Sequence, residues 1–483
     1  MNFSEYYTLE NATRIFSESC KRAKPGADRV TAASFEKDLQ TNVQEIRDRI
    51  IQKKYKFTRF EVALKVKRYD KLPRLLFKST IRDRLTAKMM CEYMQSFYSA
   101  KDIALAKTRE AVLNSIADVL QKKRENGDYT FNFYLRLDIS NFFDSINRAT
   151  LHKKLTVDGI DDEFLAVMEK MFFTMDKSIA MPNGRGVPQG LSISSLLAER
   201  YICDLDKKYL LDIYRDKVEL IRYVDDIIVF TSDRKVLSTT RDSLLFCLRS
   251  EYGLQLNQDK ITAGDLRTDK FEYLGAAIEN HVLKISETQY KRVADQMESI
   301  FRWYKRIIKS KQHPLNAGND RLLKSLLERI NLLVTGYYYK SKKDNHFVRY
   351  GWILTSLPRQ IADYDSLKRL DGFSELLIEK YIDSEKGKDY LRSGRKSFYQ
   401  AFLTNKFTNN EKGYILDRDR ISKDVDKMYK ITCNLSFVDV KYELDYNAYE
   451  KDTFETKVGD SLQSYFSKTL YLANRSVTSD IMY

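Results

Sequence analysis

The stretch LIRYVDDIIVF, Leu220 to Phe230, constrains the fold of this chain more tightly than any other. Two adjacent aspartates interrupt two apolar, β-branched runs. LIRYV and IIVF each read as a short strand, and Asp225-Asp226 falls where the two-residue turn of a hairpin would stand. Asp-Asp makes a poor turn, because neither residue is glycine and like charges adjoin. An ordinary hairpin turn is the plain reading. The alternative is a divalent cation that neutralises the carboxylates, and it calls for a further acidic residue close by.

FNFYLRLDISNFFDSI, Phe131 to Ile146, offers that residue. Phe131, Phe133, Leu135 and Leu137 alternate onto one face of a strand, so Asp138 leaves its end on the other face. Alone, Asp138 reads equally well as a strand-terminating turn residue. Paired with Asp225 on a neighbouring strand, it completes a minimal site for Mg2+, which prefers one or two carboxylates plus substrate phosphates. Two such ions activate a hydroxyl nucleophile and stabilise a leaving pyrophosphate. The residues thus point to two-metal phosphoryl transfer on a nucleic acid.

Charge placement points to the same partner. The net charge is +15 over 483 residues, but residues 51–100 hold 13 basic against 4 acidic side chains, and residues 301–350 hold 12 against 3. Those two blocks exceed the whole surplus, a distribution suited to a polyanion gripped from two sides. A merely soluble basic surface is the bland alternative. The five cysteines (Cys20, Cys91, Cys203, Cys247 and Cys433) form no CxxC pair, against a zinc module or a secreted disulfide framework. No apolar run is long enough to span a bilayer, and MNFSEYYTLENATRIF lacks a basic-then-apolar signal pattern, so a soluble, cytoplasmic protein without a membrane partner is expected.

In texture, residues 1–130 read mostly helical, with a strand-like interruption at KFTRFEVALKVKR (Lys56 to Arg68). Strands alternate with helices from Phe131 to about Glu279. Helical periodicity returns from Ile285 through QMESIFRWYKRIIKS and RLLKSLLERINLLVTGYYYK. A tyrosine-rich tail follows from about residue 360, and its last part, 441–483, has 5 basic and 7 acidic residues, unlike the two basic blocks.

The order of the motifs resembles that of reverse transcriptases. RLDISNFFDSI is similar to the first catalytic motif, GRGVPQGLSISSLLAERYICDLD (Gly184 to Asp206) to the template-and-nucleotide motif, and RYVDDIIVF to the catalytic hairpin. LQLNQDKI (Leu254 to Ile261) resembles the lysine-bearing motif, and FEYLGAAI (Phe271 to Ile278) the primer-grip hairpin. PGADRVTAASF (Pro25 to Phe35) and KLPRLLFKSTIRDRL (Lys71 to Leu85) are similar to N-terminal and finger motifs of bacterial group II intron-like members. The resemblance covers about residues 20–350. It implies an α+β right-hand polymerase fold: fingers over 1–130, a palm with an antiparallel sheet over 131–282, a helical thumb over 283–360, and a mostly helical C-terminal extension over 361–483.

The resemblance also assigns roles. Asp138 and Asp225 would hold two Mg2+ ions (Mn2+ being the second candidate), with Asp226 an accessory carboxylate. Phe143, five residues past Asp138, would be the steric gate that excludes a ribose 2′-hydroxyl and so selects dNTPs; core packing is its other reading. Gln189 and Gly190 would lie beneath the incoming base pair, and Tyr223 near the primer end. Arg74 and Lys67 would bind the triphosphate. Lys260 would protonate the departing pyrophosphate, or simply be a solvated loop lysine. Arg302, Lys305, Arg306 and Lys309 follow helical spacing, as either a nucleic-acid-tracking or a solvated face.

Ser195 stands where most members place proline, and VTG at Val334 to Gly336 lies too late, before YYYK, for the retron signature. No Cys/His cluster marks an endonuclease module. Ser195 and the tyrosine-rich extension resemble the abortive-infection and defence-associated enzymes, which implies antiphage defence with a non-coding RNA as template or scaffold. That subclass includes homo-oligomers and enzymes that start DNA on a protein hydroxyl. Tyr442, Tyr446, Tyr449, Tyr465, Tyr471 and Tyr483 are the candidates here, an aromatic in a helical core being the plainer reading of each. A retron or mobile-element enzyme and a template-independent polymerase are the alternatives.

Overall fold

Apolar periodicity and side-chain caps account for most of the helices in the computed structural model. It describes residues 2–21, 23–65, 74–101, 105, 107–179, 184–211, 217–309, 319–335, 337–340, 347–350, 357 and 361–407. In chain order come α1 (Phe3–Tyr6), α2 (Leu9–Ile15) with a π-helical turn (Phe16–Cys20), α3 (Ala32–Lys37), α4 (Leu39–Ile51), β1 (Glu61–Lys65), β2 (Arg74–Lys78), α5 (Ile81–Ser99) and α6 (Arg109–Gln121). Then follow β3 (Phe133–Asp138), α7 (Phe142–Ser145), α8 (Arg148–Asp158), α9 (Asp162–Ile179), α10 (Ser194–Leu211), β4 (Val218–Tyr223), β5 (Asp226–Thr231), α11 (Arg234–Ser250) and a short 3-10 turn (Gln258–Lys260). β6 (Thr262–Asp265), β7 (Lys270–Tyr273), β8 (Ala276–Glu279), β9 (Val282–Ile285), α12 (Glu287–Lys309), α13 (Asn319–Thr335), β10 (Tyr337–Lys340), β11 (Phe347–Tyr350), α14 (Tyr364–Tyr381), α15 (Glu385–Gly394) and α16 (Phe398–Phe407) complete it. Thr8, Thr31, Thr80, Asn147 and Asp233 cap helices by accepting a backbone N–H three residues on.

The chain divides into two compact units, Met1–Val112 with Lys122–Asp265, and Leu113–Gln121 with Leu266–Tyr483. The first is built on a four-stranded antiparallel sheet of order β4-β5-β3-β6. β5 is central, and Ile227, Ile228, Val229 and Phe230 are all fully buried, which explains why they read as a continuous apolar run. Burying each such side chain contributes about 1.5–3 kcal/mol before the entropy of ordering it. α10 packs on β4, and α11 packs on β3 and β5. The sheet's ends are therefore fixed by a packed core.

The strand-like segment near Lys56 is half of a hairpin. β1 pairs antiparallel with β2, with Val62 opposite Phe77 and Leu64 opposite Leu75. The second strand went unrecognised because RLLFK carries charges at both ends of a three-residue apolar run. Behind it, the fully buried Asp83 accepts from the Tyr55 hydroxyl and the Thr58 N–H, each at 2.7 Å, and from Arg82. These bonds tie the chain entering the hairpin to the start of α5.

The second unit contains the sheet β7-β8-β9 and a helical body in which α12 packs on α13 and α14. Asp371, Glu375 and Glu379 recur every four residues along α14. Glu375 and Glu379 pair with Arg392 of α15, Glu379 also pairs with Lys388, and Glu375 with Arg395. Asp371 accepts the Phe398 N–H at 2.7 Å and so caps α16. The extension is helical over 364–407. One expectation is corrected: the helical pattern through YYYK ends at Thr335, and Tyr337–Lys340 is a strand paired with Phe347–Tyr350. A run of tyrosines favours the pleated conformation.

Candidate active site

The hairpin of β4 and β5 turns one residue earlier than the sequence suggests. Tyr223 pairs with Asp226, so the turn is Val224-Asp225 and Asp226 is the first residue of β5. This corrects the placement of Asp225-Asp226 in the turn. Val224 has φ 58°, the left-handed region, where a β-branched side chain costs about 1–2 kcal/mol. Because β5 is buried on both faces, its apolar run has no alternation from which the register could be read.

That register brings the acids together. Asp226 lies directly opposite Asp138 across β5 and β3, and the Ile139 N–H donates to the Asp225 carbonyl at 3.3 Å. On its other side Asp138 is bracketed by Gln255–Lys260. Its carbonyl accepts the Asn257 N–H at 2.9 Å, and its Oδ2 accepts from Lys260 Nζ at 2.7 Å. Lys260 is thus no loosely solvated loop residue. Its 3-10 turn aims the ammonium at the Asp138 carboxylate.

Burial raises the Asp225 carboxyl above the ordinary carboxylate range, and the charges of Asp226 and Asp138 raise it further. Burial likewise raises Asp226, opposed by Arg136 at 3.6 Å and reinforced by Asp138. These are hard oxygen donors whose like charges disfavour joint ionisation, a donor set that a divalent cation relieves. Among the described residues no group of three or more His, Cys, Asp or Glu is arranged as a metal cage. The carboxylate set suits Mg2+ in the mode where substrate phosphates and water supply the remaining oxygens.

The Pro188–Gly190 loop approaches the hairpin of β1 and β2. The Phe77 N–H donates to the Gln189 carbonyl at 2.7 Å. Gly190 has φ 104°, and a Cβ there would meet the Phe77 carbonyl oxygen at 2.8 Å. Glycine is required by both the angle and the space. Gln189 Nε2 donates to both Asp144 oxygens at 3.2 and 3.3 Å. Asp144 lies at the surface, yet desolvation raises its carboxyl, with Gln189 and the charge of Arg74 pulling it down. Arg74 is exposed and its charge also reaches Asp225. Phe143 is partly buried against the core, while its neighbour Phe142 is fully buried. The Phe143 carbonyl accepts the Val187 N–H at 2.9 Å, which ties it to the same loop.

Residues 70–278 match the family model described as reverse transcriptase (RNA-dependent DNA polymerase). This segment is similar to reverse transcriptase domains. Its fold is the α+β right-hand polymerase fold. No curated protein matches the chain. Among solved structures, the chain is similar to a C-terminally truncated apo telomerase from Candida tropicalis (15% identity, 48% of this chain and 55% of that one, TM-score 0.35). It is also similar to telomerase from Candida albicans with a TWJ fragment of telomeric RNA (12%, 81% and 68%, 0.40) and to apo telomerase from Candida tropicalis (13%, 77% and 68%, 0.43). The chain thus spans 55% of the first of these.

The matched segment gathers Asp138, Asp225, Asp226 and Lys260 at one end of its sheet, with Tyr223 opposite Asp226. Gln189, Gly190 and Phe143 meet at the loop, with Arg74 on the adjoining β2. Lys67 lies outside the described residues, as do Tyr442, Tyr446, Tyr449, Tyr465, Tyr471 and Tyr483. In the second unit, Arg302 pairs with Glu298 at 2.7 Å, Lys305 with Asp383 at 2.7 Å, and Arg306 is exposed; Lys309 is placed in α12 but its side chain is outside the described residues. No described helix is long and apolar enough to cross a membrane. Sequence reasoning missed Arg136, Asp144 and Arg222. The signal for Arg222 was present as a lone charge inside LIRYV.

Proposed function

We propose that the protein is an RNA-directed DNA polymerase of antiphage defence that copies a cognate non-coding RNA using Mg2+ held by Asp138 and Asp225, with Asp226 in support. The observation that carries the chemistry is the register of β3 and β5, which sets Asp226 opposite Asp138 beside the Asp225 turn. Two Mg2+ ions, when bound, would supply activation of the primer hydroxyl and charge neutralisation at the leaving pyrophosphate. The chain's own residues do the rest. Arg74 binds the triphosphate, Phe143 closes the space of a ribose 2′-hydroxyl, and Gln189 and Gly190 floor the base pair. Lys260 Nζ holds a proton for the leaving pyrophosphate. Its pairing with Asp138 Oδ2 keeps that ammonium at the site.

The defence role is supported by Ser195, exposed at the start of α10 where proline would suit the first helical turn, and by the tyrosine-rich extension. One tail tyrosine acting as primer, fingers, palm and thumb at the boundaries given above, and a homo-oligomer belong to the same reading. The test is phage challenge of cells carrying the wild type or the Asp225→Ala, Asp226→Ala double variant, with sequencing of bound RNA and DNA. Loss of both cDNA and protection supports the reading. Protection that survives without cDNA overturns it, and DNA free of protein before proteolysis overturns protein priming.

A further inference from the structure

Arg222 is a fully buried arginine in β4, in the middle of the apolar strand that leads into the catalytic turn. Its guanidinium has five N–H groups, and all five are engaged. Nε and Nη2 donate to Asp206 at 2.7 and 2.8 Å, and Nη1 and Nη2 grip Glu199, both carboxylates projecting from α10. The remaining N–H, on Nη1, donates to the Val224 carbonyl at 3.0 Å.

That last bond separates Arg222 from an ordinary buried ion pair. A buried arginine with two carboxylates gives no clear gain over apolar packing of the same volume, so stability alone does not explain it. Val224 is the residue held at φ 58°, and strained turns persist only where surrounding contacts over-determine them. Peptide groups are planar. Fixing the Val224 carbonyl therefore fixes the plane that contains the Asp225 N–H. The Ile139 N–H bond to the Asp225 carbonyl fixes the plane on the other side. Asp225 is thus pinned through both flanking peptides, one by the strand bearing Asp138 and one by Arg222.

We propose that Arg222 is a positioning residue for DNA synthesis, a clamp anchored on Glu199 and Asp206 that holds the Val224 carbonyl and so the station of Asp225. The proposal rests on the polymerase reading given above. Lysine cannot replace the clamp: its ammonium has three donors on a flexible stem, two fewer than the bonds by which Arg222 grips both carboxylates bidentately and still holds the carbonyl.

The experiment compares wild type, Arg222→Lys and Glu199→Gln in single-nucleotide incorporation on an RNA template, with MgCl2 titrated and thermal unfolding followed. The clamp predicts a kcat about tenfold lower or more in Arg222→Lys, a dNTP KM within about twofold, and a Mg2+ midpoint shifted upward, because the loss falls on a step made after substrate binding. The midpoint is the decisive reading, since a smaller folded fraction lowers apparent kcat without moving it. If Arg222→Lys does not fold, Glu199→Gln carries the test, because its amide oxygen still accepts one bond while the anchor loosens. An upward shift in that variant supports the clamp. An unchanged Mg2+ midpoint in whichever variant folds overturns it. A wild type that makes no DNA would instead condemn the polymerase reading.

Discussion

Lys260 Nζ lies 2.7 Å from Asp138 Oδ2, joining the turn after Asn257 to the end of β3 across 122 residues of chain. The pair is one-sided in exposure: the Asp138 side chain is 13% exposed and that of Lys260 41%. Lys260 can therefore reach both the carboxylate and a ligand arriving from solvent. General acids at such positions contribute about 10²–10⁴-fold in rate. Lys260→Met should lower the incorporation rate by about that range with a smaller effect on dNTP KM, as pre-steady-state incorporation would show. A lysine that merely solvated its loop would leave the rate untouched.

The raised carboxyls of Asp225 and Asp226 set a pH dependence. In the metal-free protein each binds its proton more tightly folded than unfolded. Their stability contribution is then full below the unfolded carboxylate value of about 3.9 and is lost as pH rises through the higher folded value. Metal binding needs the deprotonated form, so activity should run the other way, falling as pH drops into that window. Raising MgCl2 should move this acid limb to lower pH. A pH–rate profile at two Mg2+ concentrations checks both signs.

Phe143 should govern sugar selection. Phe143→Ala is expected to reduce the ratio of kcat/KM for dCTP over CTP by about tenfold or more, equivalent to about 1.4 kcal/mol. Its partial burial against the core means a modest stability loss as well. The ratio is unaffected by that loss, so it discriminates gate from packing.

Gly190 should tolerate no side chain. Gly190→Ala places a Cβ against the Phe77 carbonyl at a φ of 104°, a strain of about 1–3 kcal/mol. Urea unfolding should show that loss, and dNTP KM should rise as the loop parts from β2. An unchanged KM would mean that the Phe77–Gln189 bond does not hold the nucleotide floor.

The sequence displayed the acids and hid what surrounds them. Asp138 and Asp225 stood out because charges beside apolar runs are costly without a partner, and Lys260 only through the resemblance of LQLNQDKI to the lysine-bearing motif. The one-residue error at the hairpin came from β5, whose four buried residues in a row carry no period. Asp144 was invisible because its partner Gln189 is 45 residues away. Arg222 was visible as an oddity, but nothing local names Glu199 or Asp206 as its anchors. In the second unit, spacing along α12 indicated a basic face, whereas Lys305 is engaged by Asp383, 78 residues on. Local pattern reports burial and period; pairing between distant segments is set by packing.

The central claim is that Asp225 directs RNA-templated DNA synthesis. Its most direct test is primer extension by purified protein on a defined RNA template with dNTPs and MgCl2, comparing wild type with Asp225→Ala. The account predicts a DNase-sensitive, template-complementary product from the wild type and a rate at least about 10³-fold lower from the variant. Equal synthesis by Asp225→Ala, or product whose sequence ignores the template, would contradict it.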